Sequence, residues 1–166
     1  MSSTLEGLDR DAFAALLGQA FEEAGWVADA VWQRAPFASL DELDGALRAA
    51  VAEAPEAQQL DLVRAHPDLA GKAAIAGDLS ATAASEQASA GLDRLTAAQH
   101  ARFTELNAAY RERFGFPFII CVRLTDKAGI LAAMERRLGH TREEEIAAAL
   151  GQIGEIVRLR LEDMAG

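Results

Sequence analysis

Cysteine is nearly missing from this chain of 166 residues, which limits the chemistry available to it. Cys121 is the only one, so no disulfide can form within the chain and a reducing compartment is expected. Its apolar neighbours predict an inert core thiol. No histidine or cysteine pair has the spacing of metal ligands, and phosphate-binding or dinucleotide-binding glycine motifs are missing. We therefore expect neither a metal nor a cofactor.

Basic clusters and long apolar runs are missing as well. The 16 Lys and Arg against 26 Asp and Glu give a formal net charge of −10. Nucleic acids and anionic membranes are poor partners for such a chain, because their affinity depends on neutralised phosphates. No uncharged run approaches the ~18 residues of a membrane span, and residues 1–13 lack the apolar core of a signal peptide. We expect a cytoplasmic protein.

Aromatic residues are also scarce, and the apolar content is mainly alanine and leucine, which favours helix over sheet. Ser39–Glu42, Thr96–Gln99 and Thr141–Glu144 each have the pattern of a helix capping box. The apolar run Phe116–Val122 has no comparable strand to pair with, so we expect buried irregular or extended chain there. We predict an all-α fold, a single compact domain over residues 1–166 with about eight or nine helices.

His66 and Pro67 form the most informative pair in the chain. A helix is predicted over residues 58–65, and proline disfavours helical angles in the residue before it. The imidazole should therefore lie at a helix end, where a side chain with an ordinary pKa of about 6.5 can transfer a proton near neutrality. A plain helix stop without chemistry is the alternative. His100 and His140 show no comparably constrained setting.

Other polar residues occur among apolar or small ones. Arg160 falls at the inner edge of the apolar stripe of the last helix, where it either forms a structural ion pair or binds an anion. Glu86 and Gln87 lie in a segment of small residues that suits either a pocket wall or a surface helix. Asn107 and Tyr110, three positions apart, are expected to make structural hydrogen bonds toward the interior.

Together these motifs resemble the 2-oxo-4-hydroxy-4-carboxy-5-ureidoimidazoline (OHCU) decarboxylases of uric acid breakdown. The resemblance covers nearly the whole chain in one order. Its stretches are Phe21–Glu22, Trp26, Arg34, Pro36–Phe37, His66–Lys72, Glu86–Gln87, Ala90–Leu92, Leu106–Asn107, Tyr110, Arg113–Cys121 and Leu159–Leu161.

This resemblance implies an all-helical, usually dimeric enzyme that needs no cofactor and converts OHCU, a small anionic ureide, into (S)-allantoin and carbon dioxide. It makes His66 the general acid and places Glu86 against the substrate hydroxyl. The remaining substrate-binding positions that it implies are Pro67, Gln87, Phe118, Ile119, Ile120, Cys121, Val122 and Arg160, with residues 118–122 acting through their backbone.

The chain departs from the family pattern at one position. Ala83 stands where family members often carry a serine, with Ser85 nearby. The hydrogen bond of that serine is therefore missing, moved to Ser85 or replaced by water. Two other functions remain open at this point: a non-catalytic helical ligand-binding module of the same fold, and a decarboxylase or isomerase of a related ureide.

Overall fold

The computed structural model describes residues 9–20, 25–66, 68–69 and 81–165. Within these ranges the chain forms eight α-helices and one 3-10 helix, and no strand. The all-α prediction is confirmed. In chain order the elements are α1 (Arg10–Ala20), α2 (Gly25–Trp32), α3 (Leu40–Glu53), α4 (Glu56–Arg64), α5 (Ala81–Ser89), α6 (Ala97–Phe114), η1 (Val122–Leu124), α7 (Lys127–Arg137) and α8 (Arg142–Ala165).

The chain divides into two compact units, one of residues 1–65 and 153–166 and the other of residues 66–152. In the first unit, α1 packs on α2 and α2 on α3. Its core includes Phe13, whose ring lies 5.7 Å from that of Phe37 and 5.3 Å from that of Trp32. The single domain over residues 1–166 stays a prediction.

The predicted capping boxes form at two of three helix starts. Thr96–Gln99 and Thr141–Glu144 make both reciprocal bonds between side chain and backbone, and the bonds to Thr141 lower the pKa of Glu144. At Ser39–Glu42 the serine accepts from the Glu42 N–H as predicted, but the Glu42 carboxylate accepts from the N–H of Ala38, one residue earlier. These helix starts are specified by local sequence.

In the second unit, α6 ends at Gly115, which has φ 80° and ψ 13°. This left-handed conformation favours glycine and lets the chain turn sharply away from the helix. The apolar run follows as largely buried irregular chain over residues 116–121, as predicted, and its last residue, Val122, begins η1. Tyr110 packs against the run, since its ring contacts those of Phe116 and Phe118 edge-on, with centroids 5.9 and 5.3 Å away.

Candidate active site

His66 lies just beyond the end of a helix, as the sequence predicts. Helix α4 ends at Arg64, and the N–H of Ala65 donates to the carbonyl of Asp61 over 3.1 Å. The next residue, His66, leaves the helix and is only 7% exposed. Its imidazole is therefore shielded from most of the solvent. Pro67 lies outside the described residues.

Side chains from two helices bond the chain immediately after this histidine. The Asn107 amide donates to the carbonyl of Leu69 over 2.8 Å, which confirms the predicted structural role of Asn107. From α5, the Gln87 amide donates to the carbonyl of Asp68 over 3.4 Å. Arg111 Nε also donates to the Asp68 carboxylate, with distances of 3.2 and 3.3 Å to its oxygens. Helices α5 and α6 thus both anchor this turn.

Helix α5 presents a small and partly polar face to the interior. Ala83 and Gln87, one helical turn apart, are buried, while Glu86 is half-buried. Ser85 is exposed. Two positions correspond to about 200° around a helix, so the Ser85 hydroxyl does not share the face of Ala83. The structure therefore argues against a move of the family serine's hydrogen bond to Ser85.

Residues 118–122, which we call the wall segment, lie in the same unit. Their side chains are buried except that of Ile120, which is half-buried. The segment has no strand neighbour among the described residues, and side chains bond its backbone instead. The N–H of Cys121 donates to Gln152 Oε1 over 2.9 Å, and the carbonyl of Ile119 accepts from Arg137 Nη1 over 2.7 Å. Helix α5 packs on η1, where the segment ends.

A buried ionic group lies beside the wall segment. Glu145 is fully buried, and its Oε1 accepts hydrogen bonds from the Tyr110 hydroxyl over 2.6 Å and from Arg137 Nε over 2.8 Å. Its Oε2 lies 2.9 Å from His140 Nδ1. Burial raises the pKa of Tyr110, and the bond to Glu145 raises it further, so the phenol remains a donor. These four residues are the Glu145 cluster.

Comparison with known proteins decides the family. A model of the OHCU decarboxylase family matches residues 6–162. The chain belongs to this family. A 2-oxo-4-hydroxy-4-carboxy-5-ureidoimidazoline decarboxylase of Haloferax volcanii is 42% identical over 93% of this chain and 89% of its own length. The protein of the same name from Halalkalicoccus jeotgali is 41% identical over 96% of this chain and 89% of its own.

A solved structure has a fold similar to that of this chain. A crystal structure of (S)-allantoin synthase superposes with a TM-score of 0.77 and 32% identity, covering 98% of this chain. The present chain spans about half of that longer chain, 53% of its length.

The second unit contains most of the site residues that the OHCU decarboxylase resemblance implies: His66, Glu86, Gln87 and residues 118–122. Arg160 belongs to the other unit, where it is 6% exposed, so its predicted burial is confirmed. Its role in binding stays a prediction. Among the described residues no group of three or more His, Cys, Asp or Glu is placed to hold a metal ion. No described helix is long and apolar enough to cross a membrane.

The Glu145 cluster contains two buried charged residues, Arg137 and Glu145, that the sequence-based reasoning missed. Arg137 follows Ile130 by seven positions and Met134 by three, so it falls on the apolar stripe of α7. This spacing, the same signal that drew attention to Arg160, would have indicated a buried arginine. Glu145 precedes the buried Ala149 by one helical turn. The sequence-based reasoning also did not identify the buried carboxylate partner of His140.

Proposed function

We propose that this chain is a carboxy-lyase of uric acid degradation that decarboxylates OHCU to (S)-allantoin and carbon dioxide. One observation carries the proposal: this chain, a member of the OHCU decarboxylase family, has a buried histidine at a helix end, in the same compact unit as Glu86 and the wall segment. The similarity to an (S)-allantoin synthase supports the (S) product.

The substrate itself makes the reaction possible without a cofactor. The bond between the hydroxyl-bearing ring carbon and the carboxylate breaks, and carbon dioxide leaves. The electron pair of that bond passes into the adjacent imine, which is conjugated with this carbon. The imine nitrogen gains a proton, the neighbouring ring carbon, which bears the ureido group, gains another, and the hydroxyl loses one as it becomes the carbonyl of allantoin. One proton is therefore taken up from the solvent for each carbon dioxide released from the carboxylate. The protein must therefore orient the substrate and control two of these proton transfers, the one to the ureido-bearing carbon and the one from the hydroxyl.

His66 and Glu86 are assigned these two proton transfers. The His66 imidazolium donates a proton to the ureido-bearing carbon from one side, which sets the handedness of the product. The Glu86 carboxylate accepts a hydrogen bond from the substrate hydroxyl and draws off its proton as the carbonyl forms. The low exposure of His66, 7%, supports this role, because a donor shielded from solvent competes with less water for the carbon. Backbone groups of the wall segment and the Gln87 amide hold the ring.

The decisive experiment supplies the purified protein with freshly generated OHCU and follows circular dichroism of the allantoin formed. Spontaneous decay gives racemic allantoin, so a growing optical signal of the (S) form is the expected result. Racemic product at the rate measured in buffer alone would overturn the proposal.

Glu86→Gln should fold normally and react slowly. The amide keeps the volume of the side chain but cannot accept the hydroxyl proton, so we expect kcat to fall about 100-fold, within the range of general base catalysis. Initial rates beside a thermal melt measure both effects. Glu112→Gln, at an exposed glutamate of α6, is the matched control and should keep the wild-type rate. A wild-type rate for Glu86→Gln would reduce Glu86 to a packing residue.

Arg160→Met tests the binding role that the resemblance assigns to this arginine. Methionine retains much of the aliphatic bulk but loses the cation, so we expect KM for the anionic substrate to rise about 10- to 100-fold, equivalent to one charge-assisted hydrogen bond. The thermal melting temperature should change little. A collapsed melting temperature with an unchanged KM would show that Arg160 is half of a structural ion pair.

We also propose that the protein is a homodimer and lies in the cytoplasm. Dimeric assembly is what the family resemblance implies, and the single cysteine fits a reducing compartment. Sedimentation equilibrium of the purified protein measures the assembly, with twice the chain mass of 17.7 kDa as the expected result.

A further inference from the structure

The wall segment carries backbone polar groups that need partners. A buried N–H or carbonyl without a hydrogen bond costs free energy, and irregular chain cannot satisfy these groups within itself as a helix does. In this segment, Arg137 bonds the carbonyl of Ile119, and Gln152 accepts from the N–H of Cys121. These two anchors lie two residues apart on the segment and come from α7 and α8. Together they constrain the path of the backbone between them.

Besides its hydrogen bond to Ile119, Arg137 makes two further contacts that fix its side chain. Its Nε donates to Glu145, its Nη1 donates to Ile119, and its guanidinium lies 4.3 Å from the centre of the Phe118 ring. Only 5% of the residue is exposed. A planar guanidinium bound on two edges and one face has a single orientation. Glu145 therefore orients Arg137, and Arg137 in turn fixes the carbonyl of Ile119.

We propose that Arg137 and Gln152 are positioning residues, which hold the wall segment in the shape that the substrate requires, with Glu145 orienting Arg137. This inference rests on the proposed function, because the segment is a substrate wall only if OHCU binds there. Neither side chain takes part in proton transfer. Their effect on the reaction passes through the backbone of residues 118–122.

Four variants distinguish a positioning role of Arg137 and Gln152 from a purely structural role. Arg137→Lys keeps the charge but replaces the planar guanidinium, whose two different nitrogens bond Glu145 and Ile119, by a single nitrogen on a flexible stem. Gln152→Met removes the second anchor at a half-buried site outside the cluster. Tyr110→Phe removes a bond to Glu145 and leaves both anchors intact. Arg136→Lys, at the exposed arginine next to Arg137, is the matched control.

Rates of (S)-allantoin formation are measured well below each melting temperature. We expect Arg137→Lys and Gln152→Met to raise KM about 10- to 100-fold, the scale of effect that a small misplacement of a binding group has on catalysis. Tyr110→Phe should melt earlier but keep the wild-type KM, and Arg136→Lys should match the wild type in both. A purely structural role predicts instead that Arg137→Lys resembles Tyr110→Phe, and that result would overturn the inference. If Arg137→Lys does not fold, Gln152→Met alone decides.

Hydrogen exchange of the Cys121 amide, followed by NMR, tests the same point without any substrate. Loss of the Arg137 anchor should speed this exchange about tenfold relative to Tyr110→Phe, because local opening of the segment becomes easier. Equal exchange in the two variants would overturn the inference even if KM changed. A wild-type protein that forms no optically active allantoin would defeat the proposed function, while the exchange measurement would still show whether Arg137 positions the segment.

Discussion

We expect His66→Asn to slow the formation of (S)-allantoin by about 10²–10⁴, the range of a positioned general acid. Asparagine has a similar size and retains some hydrogen bonding, but it cannot deliver a proton to carbon. The site of change is a buried helix end whose following turn is anchored from α5 and α6. The variant should therefore keep its fold, and any allantoin that it releases should approach the racemic product of spontaneous decay.

The measurement is the initial rate together with the enantiomeric excess of the allantoin. His100→Asn is the control, because His100 lies on α6 and has no assigned role in the reaction. If His66→Asn still produces pure (S)-allantoin at the wild-type rate, the proton donor has been misassigned.

Glu145→Ala should cost about 3–5 kcal/mol of unfolding free energy, the typical result of removing one member of a buried ion pair. The change leaves the Arg137 cation buried without its carboxylate and removes the acceptor of the Tyr110 hydroxyl. Both consequences penalise the folded state. Urea unfolding at pH 7, followed by circular dichroism at 222 nm, gives the difference.

Glu143→Ala is the matched control for this change. Glu143 lies in the same first turn of α8 but is exposed, so its removal should alter the unfolding free energy by about 0.5 kcal/mol or less. A loss that small in Glu145→Ala as well would mean that water or a rearranged side chain replaces the carboxylate.

Much of the fold could be predicted because its signals are local. Capping at Thr96–Gln99 and at Thr141–Glu144 depends on residues three positions apart, and the left-handed Gly115 depends on glycine alone. The irregular path of Phe116–Val122 was predicted differently, from the lack of a partner strand. Ser39–Glu42 shows where local prediction fails, because the glutamate had two neighbouring backbone donors within reach and bonded the earlier one.

In the candidate site, the position of a residue on or at the end of its helix could be predicted, but its hydrogen-bond partners could not. Arg160 could be recognised as buried because helix geometry places it at the inner edge of an apolar stripe, and His66 could be placed at a helix end because a proline follows it. The bonds from Asn107 to Leu69 and from Tyr110 to Glu145 join residues 38 and 35 positions apart. Pairing over such distances is set by how helices pack, and periodicity within one helix carries no information about it. Positions within and at the ends of helices were therefore predictable, whereas partners in other helices were not.

The absence of a strand beside residues 118–122, within the part of the chain that the structure describes, has a consequence for engineering. In a sheet, the backbone of a binding wall is locked by a ladder of neighbours, and moving it disturbs the whole sheet. Here single side chains at positions 137 and 152 bond the backbone. On the proposal that residues 118–122 contact the substrate, a library limited to positions 137 and 152 should change the path of this backbone while leaving residues 118–122 themselves unaltered. Such a library is an economical starting point for widening the range of accepted ureides.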